Sequence, residues 1–271
     1  MALSNVSLTA SARANLVSLQ QTAELLGVSA QRLSSGKKVN TAIDDASAFF
    51  KSQSFLNRAS DLSAIKDDLS TSLQTVKAAS NAIDAITKIA QQLQGLVNSA
   101  QQTTDTTTRT NLATQYNSLR NQLDALVNDA TFNGTNLLKS SGALKVKFNE
   151  DNTSTLTISG VDLSATGLGL TAPSNAFNDA DLTEHTLRLQ TALNTLRSNA
   201  STFGTNATLV QTRADFTKNL VNTLQIASDN LVLADINEEG ANSQALQARS
   251  QLGISALAIS GQQQSAILKL F

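Results

Sequence analysis

Apolar positions recur three and four residues apart along most of this chain. Near its start, Leu16, Leu19, Ala23, Leu26, Ala30 and Leu33 follow one another at spacings of 3, 4, 3, 4 and 3. So narrow a stripe is the seam of a coiled coil rather than the broad face of a helix in a globule. A second stripe closes the sequence: Ala245, Leu252, Ala256, Ile259, Ala266 and Leu270, with Gln263 as its polar member. No charge falls between Arg249 and Lys269, which raises the question of a membrane span. Ser250, Gln251, Ser255, Ser260, Gln262, Gln263, Gln264 and Ser265 make the run too polar for one. Helices so poor in charge and so rich in Ala, Ser and Gln are weak alone. The two ends are therefore expected to pair with each other or with other copies of the chain.

Between these ends the same spacing predicts long helices. Leu62, Ile65, Leu69, Leu73, Val76, Ile83, Ile86, Leu93 and Val97 mark one from about residue 46 to 100. At ~1.5 Å per residue it would be on the order of 80 Å long. Thr-rich residues 101–110 predict a turn, and Leu112, Tyr116, Leu119, Leu123 and Val127 a second helix over about 111–129. Asn133-Gly134 predicts a tight turn. Leu144, Val146 and Phe148, then Leu156 and Ile158, alternate with polar residues and predict a β-hairpin. Gly160 to Pro173 predicts a loop. From about 179 to 233 helix returns, with a soft spot near Ser201–Thr205. At the first break, Gly36 after Ser35 suits a helix stop. Asn40 or Thr41, followed by Asp44 and Asp45, suits a connector leading into a helix N-terminus. The expected fold is mainly α: a long antiparallel coiled-coil rod with one small hairpin in mid-chain.

Composition supports this and narrows the chemistry. One Pro in 271 residues permits long unbroken helices. With aromatics at 4%, the core must be Leu, Ile, Val and Ala seams. A net charge of −1 gives no footprint for nucleic acid or an anionic membrane. Cysteine is absent, which excludes disulfides and thiol catalysis. The first residues lack the basic and apolar blocks of a secretory signal. His185 is the only histidine and is expected on a helix face. Asp44-Asp45, Asp67-Asp68 and Glu238-Glu239 diverge as helix neighbours and make poor acid–base dyads. Gln31 and Lys38 break the phosphate-loop pattern around Gly36-Lys37. No cofactor, metal or catalytic residue is expected.

Three motifs, in order, carry a family resemblance. Arg32-Leu33-Ser34-Ser35-Gly36-Lys37-Lys38-Val39-Asn40-Thr41-Ala42-Ile43-Asp44-Asp45-Ala46 resembles the N-terminal signature of bacterial flagellins, R-L-S-S-G-x-R-I-N-S-A-x-D-D-A. Phe132-Asn133-Gly134 with Leu137-Leu138 resembles their F-N-G-x-x-L-L. Gln251-Leu252-Gly253 and Ala256-Leu257-Ala258-Ile259 resemble their ending. Lys38 and Val39 stand for Arg and Ile, and no Pro precedes Ile267.

The resemblance implies a minimal flagellin. Residues 1–40 would be the N-terminal arm of domain D0 with its connector, and 41–138 the N-terminal helices of D1. Residues 139–178 would be the D1 hairpin and loop, 179–233 the C-terminal D1 helix, and 234–271 the C-terminal D0 helix. It further implies a subunit that polymerises, alone or with other flagellins, into an extracellular flagellar filament for motility. Implied partners are the junction and cap proteins, the flagellar type III export apparatus and a chaperone. In this reading the two stripes are assembly seams, and Ser35, Gly36, Asn40, Asp44 and Asp45 form the D0–D1 connector. Two alternatives stay open: a hook–filament junction protein, and a coiled-coil adhesin or binding module that forms no filament. Junction proteins typically carry Pro beside their D-D pair, whereas Ala46 follows Asp45 here.

Overall fold

The computed structural model describes residues 10–174 and 176–268. Leu270 and the ends at 1–9 and 269–271 lie outside them. Five helices and one hairpin make up the described chain. They are α1 (Ala10–Ser35), α2 (Ala46–Gln101), α3 (Thr106–Asp129), β1 (Ala143–Lys147), β2 (Thr155–Ser159), α4 (Asp179–Val232) and α5 (Ile236–Leu268). The mainly α expectation with a mid-chain hairpin is met. Two compact units divide the chain: Met1–Asn57 with Thr223–Phe271, and Arg58–Asn222. The divisions fall deeper in α2 and α4 than the sequence boundaries at 40/41 and 233/234.

In the Arg58–Asn222 unit, α2 buries Leu69, Val76, Ile83, Ala90 and Val97 on one row and Ala79, Ile86, Leu93 and Ala100 on the next. That alternation of 3 and 4 is a coiled-coil seam. Opposing rows come from α3 (Ala113, Tyr116, Leu123, Val127) and α4 (Leu182, Leu189, Leu196, Phe203, Val210). The soft spot at Ser201–Thr205 is not there. Phe203 stays in the seam and is buried, and Gly204 faces outward, so α4 runs through unbroken. α3 begins five residues earlier than expected, because Asp105 caps it by accepting from the Thr108 N–H at 2.8 Å.

The hairpin pairs Leu144 with Ile158 and Val146 with Leu156, antiparallel. It sets Val146 and Ile158 into the core. The following loop is not merely a connector. Leu163, Ala165, Leu168 and Leu170 are buried, and Ala165 N–H donates to Asp124 Oδ1 at 2.7 Å.

Candidate assembly surface

The first unit is built differently. α1 and α5 pack antiparallel, for Leu19 lies against Gly253 while Ser29 lies against Glu239. The contact face of α1 runs Ala12, Leu19, Thr22, Leu26, Ser29 and Leu33. That of α5 runs Glu239, Ser243, Leu246, Ser250, Gly253, Leu257 and Ser260. Most of these residues are small or hydroxylic. A Cβ on Gly253 would sit 3.0 Å from Leu19 Cγ, so glycine here lets the helices close up. The same habit appears where α2 begins and α4 ends: the Ser52 and Ser228 hydroxyls meet, buried, at 2.8 Å.

This corrects the expected pairing of the two stripes. Leu19, Leu26 and Leu33 do turn inward, half-buried. Leu16, Ala23 and Ala30 of the same stripe are exposed. On α5 the stripe lies off the contact face: Leu252 is 72% exposed, Ile259 57%, and Ala256 and Ala266 are exposed too, with Leu252 and Ala256 on the rim of a groove beside Leu19 and Thr22. The face chosen is the one that permits close approach, and apolar residues are left outside. Val17, Leu25, Val28 and Ile254 join them. Beside Leu25 and Val28, a groove of about 370 Å³ runs between the helices, with Arg32 and Arg249 on its lining.

One polar node pins the pair. Asp235 Oδ1 accepts from the Asn237 and Glu238 N–H groups and starts α5. One turn on, Glu239 accepts from Ser29 Oγ and Arg32 Nη1, each at 2.9 Å. The Arg32 hydrogen bond, helped by Ser29, holds its carboxyl below the ordinary value of 4.5. In the sequence Arg32 stands in a motif and Glu239 reads only as half of a poor acid–base dyad. Their separation of 207 positions hides the node from local inspection. A lowered carboxyl stabilises the pair above its ordinary value and loses that contribution as pH falls. Glu239→Gln is therefore expected to weaken α1–α5 pairing by about 1 kcal/mol at neutral pH. The difference from the parent chain should vanish in acid. Amide exchange of α1 at neutral and acid pH measures both.

The connector is sewn to the α4–α5 junction. Gly36 closes α1 at φ +70°, its N–H donating to Arg32 O at 2.8 Å. Lys38 and Val39 N–H donate to Val232 O, and Ala234 N–H to Gly36 O. Ser35 Oγ accepts from Lys37 N–H. Asn40 and Thr41 lie in the turn that leads into α2. Their N–H groups donate to Asp44 Oδ2, lowering its carboxyl, with Thr41 the larger cause. Asp45 caps α2, accepting from Ala48 N–H at 2.9 Å. Within this bonded turn Ile43 is 95% exposed.

The family model and the similar sequences agree with one another. Residues 6–143 match the family model described as bacterial flagellin N-terminal helical region. The chain is 33% identical to flagellin FljM of Caulobacter vibrioides and 30% identical to flagellin FljK of the same organism, over the whole of both chains in each case. A solved Bacillus cereus flagellin overlays at a TM-score of 0.49 and 18% identity, covering 55% of this chain and 88% of that one. The chain belongs to the bacterial flagellin family. Its class is that of a structural filament subunit, which self-association builds.

Among the described residues no helix is long and apolar enough to cross a membrane, and no group of three or more His, Asp or Glu is placed to hold a metal ion.

Proposed function

We propose that this chain forms the extracellular filament of a bacterial flagellum, and that the outward apolar rows of α1 and α5 pack against other copies. Leu16, Ala23 and Ala30 serve on α1, and Leu252, Ala256, Ile259 and Ala266 on α5, with Leu270 continuing that row in sequence. Leu19, Leu26 and Leu33 hold the pair itself together. The observation that carries this reading is the facing of the α1–α5 pair: beside five half-buried leucines its inner face is small and hydroxylic, while Leu16, Val17, Leu25, Val28, Leu252, Ile254 and Ile259 stay exposed. Such a pair exposes apolar surface that association would bury.

In this reading residues 1–40 and 234–271 are D0. D1 comprises 41–138, the hairpin region 139–178 and 179–233. Ser35, Gly36, Asn40, Asp44 and Asp45 set the connector through the hydrogen bonds above. The work of the chain is assembly rather than catalysis. Its further partners are flagellar junction and cap proteins, the type III export apparatus and a chaperone, with other flagellins able to share the filament. Purified chain, concentrated and seeded with sheared filaments, should elongate into uniform fibres seen by negative-stain microscopy. A population that stays monomeric under seeding would contradict the proposal. Capping of filament ends without elongation would favour a junction protein.

A further inference from the structure

The Arg58–Asn222 unit buries an imidazole in its helical seam. His185 lies on the α4 seam between Leu182 and Leu189, at the slot an aliphatic residue would fill, and it is 3% exposed. It was expected on a helix face, and the face is the buried one. Its ring lies edge-on to Tyr116 of α3 and Phe177 of the preceding loop, with centroids 5.1 and 5.6 Å away. Tyr116 and Phe177 meet at 5.7 Å and close the cluster. His185 Nδ1 and Tyr116 Oη are buried without a hydrogen-bond partner among the described residues.

The charges nearby are committed elsewhere. On α4 itself, Asp181 takes the Ser174 hydroxyl, and Glu184 takes the Arg188 guanidinium. Arg188 also donates to Gly169 O at 2.9 Å and sets a positive charge beside the ring. On α3, Arg109 pairs with Asp179 and donates to Phe177 O, and Arg120 donates to Leu170 O. α2 brings the neutral Gln101 to Thr186. The cage thus suits a neutral imidazole, and the nearby carboxylates are already engaged by Ser174 and Arg188.

We propose that His185 is an acid-sensitive joint in the seam: neutral, it packs as a core residue, and protonated from solvent it leaves the cage and unseats α3 from α4. Burial holds the imidazole below its ordinary value of 6.5, outweighing the opposing pull of Asp181 and Glu184. The unfolded chain therefore binds the proton more readily than the folded one. Stability is complete above the ordinary value and declines as pH falls below it. The unfolding constant rises toward tenfold per pH unit in that range, one proton being involved.

The chain reports on this site without labels. It has one histidine, one tyrosine and no tryptophan, and the histidine and tyrosine touch. Full-length monomer is titrated from about pH 8 to about pH 5, following the single imidazole Cε1–H resonance. The folded-state signal should remain neutral through the ordinary midpoint. Urea unfolding of the parent chain, His185→Phe and His185→Leu is then compared across the same range. The parent unfolding constant should climb as pH falls, and both variants should lose that component, leaving only carboxylate titration in more acid solution. An ordinary imidazole midpoint in the folded chain overturns the proposal. So does one pH dependence shared by all three proteins. If Phe overfills the slot and that variant fails to fold, the smaller Leu carries the comparison, and the resonance titration needs no substitution.

Discussion

Ile259→Asp should abolish filament growth and leave the monomer as stable as before. Ile259 is more than half exposed and lies on the side of α5 away from α1. Removing it takes little from the isolated chain, so unfolding stability should change by no more than about 0.5 kcal/mol. In a filament the same position would bury an unpaired carboxylate. Such burial costs ~3 kcal/mol or more, which raises the critical concentration on the order of a hundredfold or beyond. Seeded growth followed by light scattering, with urea unfolding alongside, separates the two effects. Leu26→Asp behaves differently, because Leu26 faces α5. It should lose filaments and also loosen the pair. Normal filaments from Ile259→Asp would remove α5's outer row from the interface.

Gly142→Ala should be the most damaging small substitution in the Arg58–Asn222 unit. Gly142 precedes β1, and a Cβ there would lie 1.8 Å from Asn136 O and 3.2 Å from Lys139 O. These are backbone atoms and cannot swing aside. Gly142 O also accepts from Gly160 N–H at 2.7 Å, closing the base of the hairpin. Relief of the clash must open the 136–142 turn, which carries Leu137 and Leu138 into the core. The expected loss is about 3 kcal/mol or more, read from the urea midpoint. Gly95→Ala is the control. Nothing lies within 4 Å of a Cβ at this exposed position in α2. It should gain ~1 kcal/mol through helix propensity. Equal effects from the two substitutions would disprove the steric account.

The long seams were legible because their residues are unambiguous. Leu69, Val76, Ile83, Leu93 and Val97 differ so much from their neighbours in apolarity that only one face of α2 can turn inward. Alternation placed the hairpin for the same reason, and an Asn-Gly pair before it marked a real positive-φ turn. The α1–α5 pair was legible as two helices, and its facing was not. There the choice lies between a row of Leu, Ala and Ile and a row of Ser, Gly, Thr and Leu. Hydrophobicity favours the first, whereas close backbone approach and the Ser29–Glu239–Arg32 node favour the second. Spacing alone weighs only the former. His185 was legible as a helix-face residue, and that its face is the buried one was not. Its place between Leu182 and Leu189, at seam spacing, was the available signal.

The central claim is that other copies cover the apolar rows left outside the α1–α5 pair. The absence of cysteine makes this directly measurable. Leu252→Cys and Ile259→Cys each introduce the only thiol in the chain, at an exposed site. Maleimide labelling of these thiols should be fast in the monomer and strongly suppressed in pelleted filaments. Labelling at the same rate in both states would contradict the account.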